Sequence, residues 1–359
     1  RWKFLFMDFK KQVNQVRRKI MYGLTKNVGS SKAGRNPLDR APLQKILISR
    51  PNHRLGNLLL ITPMVKELEQ MFPNVKIDIF VKGSLGPIVF KNYKSINKII
   101  NLPKKPAKEF WKYVGGWLNL RNNQYDLVIN IIGNSSSGRL SAKFANATYK
   151  FYGDDDESIQ ATFSDGRHLA KYPVYYLRRF LTNLGIKENI NPIPSMDLKL
   201  SSSELAFGKS ILQELIKNDR KTIALYTFAT GNKCYSKDWW EKLYDRLVRE
   251  FDTYNVVEVL PVENVSQLSF KAPSYYSKDV REIGSFIRNT SVFIGADSGI
   301  MHLASAAHAP TVGLFSVTDK ALYEPYNGDS IGVDTRSTTE DELITMIRNI
   351  LKKETSNQT

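Results

Sequence analysis

"FIGADSGIMHLASAAHAPTVGLF", residues 293–315, decides the fold. It opens as a short apolar run, breaks at Asp297, Ser298 and Gly299, and continues through small residues around His302 to a second apolar run. Two such runs separated by a helix-length segment are what buried parallel strands joined by a helix look like. The break is then a strand-to-helix junction, which presents unpaired backbone N–H groups and the positive end of a helix dipole. Asp297 or Ser298 can cap that helix, and Gly299 lets a ligand approach the backbone. Ser298 and Gly299 therefore suit a diphosphate, with His302 one turn along on the same side. Taken alone, the same residues also fit an ordinary N-cap and a satisfied helix histidine.

The pattern extends in both directions. "KILIS" (45–49), "VKIDIFV" (75–81), "INKIINL" (96–102) and "YDLVINI" (125–131) read as strands, with helical stretches between them such as that carrying Leu60, Met64, Leu68 and Met71. The second half restarts: strand "KTIALYTF" (221–228), amphipathic helix "KDWWEKLYDRLVREF" (237–251), strand "NVVEVLPV" (255–262), then the opening stretch and a closing helix "TEDELITMIRNILKK". Strand and helix in alternation predict parallel sheets wrapped by helices. The expected architecture is α/β: two Rossmann-like domains facing across a cleft, with ligands outside the carboxyl ends of the strands. The domains are placed at 43–190 and 191–335, divided near "NINPIPSMDLKL" (189–200). Residues 1–42 form a basic amphipathic helix and linker, and 336–359 a closing helix and tail.

Bulk composition narrows the partners. The 359 residues carry 52 Lys and Arg against 35 Asp and Glu, a formal charge of +17 that favours anionic partners. The one cysteine, Cys234, excludes an internal disulfide and fits a reducing compartment. No apolar run reaches the roughly 18 residues of a membrane span. The opening "RWKFLFMDFKKQVNQVRRKIMYGL" places Trp2, Phe4, Leu5, Phe9, Val13, Val16 and Ile20 near helical spacing, with Lys10, Lys11, Arg17, Arg18 and Lys19 among them. It reads either as a helix lying on an anionic membrane or as one packed on the protein body. Asp154-x-Asp156 in "YGDDDES" has a metal-chelating spacing but reads as a solvated turn, and four histidines and one cysteine form no metal-ligand cluster of the usual spacing. The basic "NLPKKPAK" (101–108) lacks the features of a nucleic-acid module, so no nucleic-acid partner is expected.

The whole phrase at 293–315 resembles the D-[ST]-G-x-x-H-L-A-x-A signature of the heptosyltransferase-like family 9 glycosyltransferases, which have the two-domain GT-B fold. "ILISRPNHRLGNLLLITPMVKELEQMFPNVKIDIFV" is similar to the family's first strand, glycine loop and following elements. "SSSGRLSAKFANATYKFYG" resembles the mid-domain stretch, and "TFATGNKCYSKDWWEKL" the loop whose lysine meets the donor phosphates. The resemblance covers roughly residues 43–330. It implies an inverting, metal-independent transfer of heptose or a related sugar from a nucleotide-diphosphate donor, usually ADP-linked, to a lipopolysaccharide-type or other surface glycan. No cofactor is implied beyond that donor substrate. The setting implied is cytoplasmic, peripheral on a bacterial inner membrane.

On the matching positions, Lys233 would neutralise the leaving diphosphate with Thr230 as a hydroxyl donor nearby. Asp297, Ser298, Gly299 and His302 would wall the diphosphate and ribose. A lysine together with helix-end amides can stabilise a departing diphosphate. One departure stands out. The family's first glycine loop usually reads Gly-Asp, the aspartate being the proposed base, whereas here Asn57 follows Gly56. A carboxamide accepts no proton at neutral pH. Three outcomes stay open: His53 in the same loop serves as base, a carboxylate approaches from elsewhere, or Asn57 positions an acceptor that needs little base. Arg50 and Arg54 could meet an anionic acceptor, and Gly56 permits the tight turn. Ser136 and Arg139, after the "YDLVINIIG" strand, should also face the cleft on the acceptor side. The alternatives are a nucleotide-sugar epimerase and a non-catalytic glycan- or membrane-binding protein.

Overall fold

A computed structural model describes residues 23–29, 31, 43–154 and 156–356. The expected N-terminal amphipathic helix lies outside these residues, except for a helical turn at 23–25.

The first half lays β1 (Lys45–Ser49), β2 (Lys76–Lys82), β3 (Ile96–Leu102), β4 (Gln124–Asn130) and β5 (Asn146–Phe151) in one sheet of order β3-β2-β1-β4-β5, every pairing parallel. Strand β1 is buried throughout from Ile46 to Ser49, as a central strand covered on both faces must be. Helices α1 (Leu55–Leu59), α2 (Thr62–Met71), α3 (Gly86–Val89), α4 (Phe110–Asn122), α5 (Ser136–Phe144), α6 (Glu157–Thr162) and α7 (Tyr172–Asn183) connect and flank the strands. The helix expected through Leu60 is two: Thr62 and Pro63 start α2 one residue after α1's C-cap region, because proline suits a first helical turn and not an interior.

The second half begins with α8 (Ser202–Ile216) and carries β6 (Thr222–Tyr226), α9 (Lys237–Glu250), β7 (Asn255–Val259), β8 (Ser274–Tyr275), α10 (Val280–Arg288), β9 (Val292–Ala296), α11 (Gly299–Ala306), β10 (Thr311–Phe315), α12 (Lys320–Tyr323), β11 (Ile331–Asp334) and α13 (Glu340–Ser356). Its sheet has the order β8-β7-β6-β9-β10-β11, again parallel. In both sheets the chain direction across the sheet reverses beside the first strand of the half, between β1 and β4 and between β6 and β9. These switch points leave crevices at the carboxyl ends of the strands, and they are where open α/β sheets bind ligands.

The halves are not independent bodies in contact at a rim. Ile61 and Met64 of the first share one buried cluster with Met301, Leu303 and Ala304 of the second. The connector between α7 and α8 is clamped on both sides: Asp197 N–H donates to Thr62 Oγ1 at 3.1 Å, and Leu198 N–H donates to Ala306 O at 2.8 Å. Arg281, only 5% exposed, ties the same region together. Its guanidinium meets both Glu204 oxygens at 2.6 and 2.8 Å and the carbonyls of Ile88, Leu198 and Lys199 at 3.0 Å.

Two expectations are corrected here. Asp154 is not a solvated turn residue: it forms a very short ion pair with Arg139 and accepts from the Ser31 N–H and hydroxyl at 2.9 Å. Asp156 caps α6 through the Ser158 N–H and pairs with Arg179 at 2.9 Å. Both carboxylates are engaged by cations and hydrogen-bond donors of their own chain. The polar stretch after the N-terminus is also anchored, at least at its start, since Thr25 donates to Ser136 Oγ at 2.8 Å and Arg139 donates to Gly29 O at 2.6 Å.

Candidate functional site: an interdomain diphosphate cradle

The site is built on two strand ends. At the carboxyl end of β9, Ser298 has extended backbone geometry and its Oγ accepts from Met301 N–H at 3.2 Å, which starts α11. At the carboxyl end of β6 the chain runs through Thr230 into a single 3-10 turn, Gly231–Lys233. Gly231 takes a positive φ of 69° there, a conformation that side chains resist. That turn aims Lys233 at the β9 end, and its Nζ lies 2.5 Å from Asp297 Oδ2. Asp297 is 6% exposed and its backbone N–H is held by Leu314 O, so the lysine is fixed by a buried anchor.

From the other half, α1 lies directly against α11. A Cβ on Gly56 would fall 2.8 Å from His302 Cδ2, and one on Gly299 would fall 3.4 Å from Gly56 N and 3.5 Å from Leu55 Cβ. The two glycines chosen from sequence thus meet across the domain boundary; the tight fit is at Gly56, where the His302 ring leaves no room for a side chain, while Gly299 and the α1 backbone are in ordinary van der Waals contact. His302 is 4% exposed and its Nδ1 has no hydrogen-bond partner among the described residues. Burial depresses its pKa far below the usual histidine value; Asp297 opposes this and Lys233 reinforces it, so the ring is neutral at pH 7. A neutral imidazole beside an ion pair offers a hydrogen bond without adding charge.

Arg50 ends β1 at the same place. Its pKa is lowered to about 10 by burial, with Tyr323 partly compensating. Among the described residues no carboxylate pairs with its guanidinium. An enclosed cation without a counter-ion is costly unless an anion arrives from outside. Tyr323, from α12, completes the wall: its ring lies 5.9 Å from Lys233 Nζ and 6.0 Å from the His302 ring. Burial raises the Tyr323 pKa, Asp297 adds to this, and Arg50 and Arg54 act against it. Tyr323 was not marked by the sequence; a lone tyrosine in a polar loop carries no spacing signal.

The remaining candidates divide. His53 is exposed in the loop before α1, where partial desolvation and then Lys104, Lys82 and Arg54 lower its pKa from the ordinary histidine value. Asn57 is half-buried on α1, and Thr230 is exposed ahead of the 3-10 turn. Arg54 donates its backbone N–H to Asn52 Oδ1 at 2.9 Å, which sets the entry to α1. Ser136 and Arg139 depart from expectation. Arg139 is 4% exposed and consumed by Asp154, Gly29 O and Gly133 O, while Ser136 accepts from Thr25. They hold the segment before β1: both terminal nitrogens of the Arg139 guanidinium are engaged by its own chain, and its Nε, unpartnered among the described residues, is enclosed with them.

Two parallel sheets of this topology, with a cation, a capped helix start and a glycine contact meeting between their carboxyl edges, define the GT-B class. Residues 278–343, which contain β9, α11 and β10, match the family model "Glycosyltransferase family 9 (heptosyltransferase)". Over 297 residues the chain is 27% identical to "Lipopolysaccharide heptosyltransferase 3" of Escherichia coli (strain K12), covering 77% of this chain and 84% of that protein. Among solved structures it resembles the family 9 glycosyl transferase from Veillonella parvula DSM 2008, with TM-score 0.68 at 16% identity over 86% of this chain and 97% of the other. It also resembles E. coli ADP-heptose lps heptosyltransferase II, with TM-score 0.61 at 14% identity over 87% and 99%. The chain is heptosyltransferase-like in sequence and GT-B in fold.

Proposed function

We propose that this protein is an inverting glycosyltransferase that moves a heptose or related sugar from an ADP-type nucleotide-diphosphate donor to a lipopolysaccharide-type acceptor. The observation that carries the reading is the meeting of Lys233, Asp297 and the start of α11 with Arg50 and Gly56 across the domain boundary. The similarity to lipopolysaccharide heptosyltransferases supplies the sugar, carrier and acceptor class.

In this reading an acceptor oxygen attacks the anomeric carbon from the first-half side as the bond to the diphosphate oxygen breaks on the opposite face. The charge gathering on the leaving diphosphate is met by the Lys233 ammonium, by backbone N–H groups at the start of α11 and by Arg50, which has no carboxylate partner among the described residues. Preorganised donors of this kind stabilise developing charge without reorganising during the reaction. The Asp297 contact keeps the lysine in place before the donor arrives. No step requires a metal, so chelators should leave turnover unchanged. The acceptor proton passes to His53, whose pKa partial desolvation and its cationic neighbours lower, while Asn57 orients the hydroxyl. Peripheral attachment to an anionic membrane, and a cytoplasmic setting, belong to the same reading; among the described residues no helix is long and apolar enough to cross a membrane.

A thermal-shift screen of nucleotide sugars, followed by mass spectrometry of products, tests it. A rise in Tm is expected with an ADP-sugar, since a ligand selective for the folded state stabilises it. Lys233→Ala should remove most of that rise, measured against the variant's own baseline, and lower transfer about 100-fold or more. An equal response in wild type and variant would remove Lys233 from the site. A donor response without product would leave a binding protein.

A further inference from the structure

Helix α4 carries apolar side chains on two faces, and its fold uses only one. Inward, Gly116 lets the helix close on Leu102, where an added Cβ would fall 2.7 Å from Leu102 Cδ2, and Trp117 meets Phe80 edge-on with ring centroids 5.5 Å apart. Outward, Trp111 is 81% exposed, Phe110 56% and Leu118 50%, and the Phe110 and Trp111 rings pack on each other at 5.4 Å. Trp111 is the most exposed of the chain's described aromatic side chains, and its neighbours are cations. Residues 98–121 contain Lys98, Lys104, Lys105, Lys108, Lys112 and Arg121 against the single acid Glu109, itself paired with Lys112 at 3.3 Å.

We infer that the outward face of α4 and the lysine loop before it dock on an anionic lipid bilayer. Aromatic side chains at a helix end with lysines around them match the boundary between acyl chains and anionic headgroups, where rings bury and ammonium groups meet phosphate. A second copy is a poor occupant: a symmetric pairing would bring two clusters of six cations face to face. The patch also sits where a membrane-delivered substrate would be useful. The lysine loop abuts the loop before α1, since an added Cβ on Gly83 would meet Lys104 Cε at 2.8 Å and His53 Cβ at 3.2 Å. Docking there brings the bilayer surface to the first-half side of the cleft, apart from any contribution of residues 1–22.

Sedimentation of the full chain with vesicles of phosphatidylethanolamine and phosphatidylglycerol, against vesicles of phosphatidylcholine alone, tests this without reference to sugar transfer. Binding is expected to the anionic vesicles and to fade with salt. The double variant Phe110→Ser with Trp111→Ser, and separately Lys105→Glu with Lys108→Glu, should each weaken it by about tenfold or more. These side chains are exposed, so Tm should not change. Equal binding by either variant, equal binding to neutral vesicles, or no vesicle binding by the wild type would overturn the inference. So would variants that dissolve a dimer while binding vesicles normally.

Discussion

The residues that carry the site are ordinary until they are placed. Lys233 is one of 52 basic residues, and its turn puts it on a carboxylate 6% exposed, next to a histidine that the same burial keeps neutral. His53 is the reverse case: an exposed ring whose pKa falls because burial, Lys104, Lys82 and Arg54 all disfavour its cation. The sign of its pH dependence follows. A base must be unprotonated, so turnover should rise with pH through the His53 pKa, and the acid limb of kcat/KM should lie below pH 6.5, the ordinary value. In His53→Ala that limb should vanish and kcat fall about 100-fold. If the limb persists at the same pH, the proton goes elsewhere, and Asn57 with solvent is left to manage the acceptor.

At the scale of elements, the contact between α1 and α11 joins the two halves of the site. Both helices start at strand ends, and each places a glycine at the contact, Gly56 under the His302 ring and Gly299 against the start of α1. Alanine usually favours a helix over glycine by up to about 1 kcal/mol. At position 56 the added carbon would meet the buried His302 ring, so overpacking wins, and Gly56→Ala should cost about 1–3 kcal/mol in urea unfolding. It should also weaken donor binding, because His302 and the start of α11 would have to shift together. An unchanged midpoint and donor response would mean the halves separate easily there. The same scale explains why Ser136 and Arg139 misled. Their place after β4 suggests the cleft side, but β5 and the segment around Gly29 and Ser31 close over them. That closure involves partners more than a hundred residues away, which no local pattern announces.

At the scale of the molecule, the connector acts as a wedge between halves. Asp197 sits on it with His308 Nε2 at 3.2 Å and Lys66 Nζ at 3.3 Å. Burial pushes its carboxyl up, but His308, the Lys199 N–H and Lys66 outweigh that and hold its pKa at about 2. A carboxylate with a depressed folded pKa stabilises fully above its unfolded value near 3.8, and loses that stabilisation as pH falls toward 2. Asp197→Asn should therefore lower stability at pH 7 by about 1–2 kcal/mol and flatten the decline between roughly pH 4 and 2. An unchanged acid profile would mean that these contacts form equally in the unfolded chain.

The sequence by itself determined the elements and their kind. Short β-branched runs such as Lys45–Ser49 and Thr311–Phe315, bounded by turn residues, read as buried strands, and a Ser or Asp before an amphipathic run favours a helix start there. Helix-end chemistry is local, so the sequence also marked Asp297, Ser298, Gly299 and His302, and a tight turn marked Gly56; Lys233 was pointed to only by the family resemblance. Tertiary structure alone decided which of the marked residues meet, that Arg50 has no carboxylate partner among the described residues, that Tyr323 joins them, and that Arg139 is buried against Asp154 and its own backbone. Burial and charge pairing are sums over neighbours distant in sequence, and they exist only once the two sheets have been brought edge to edge.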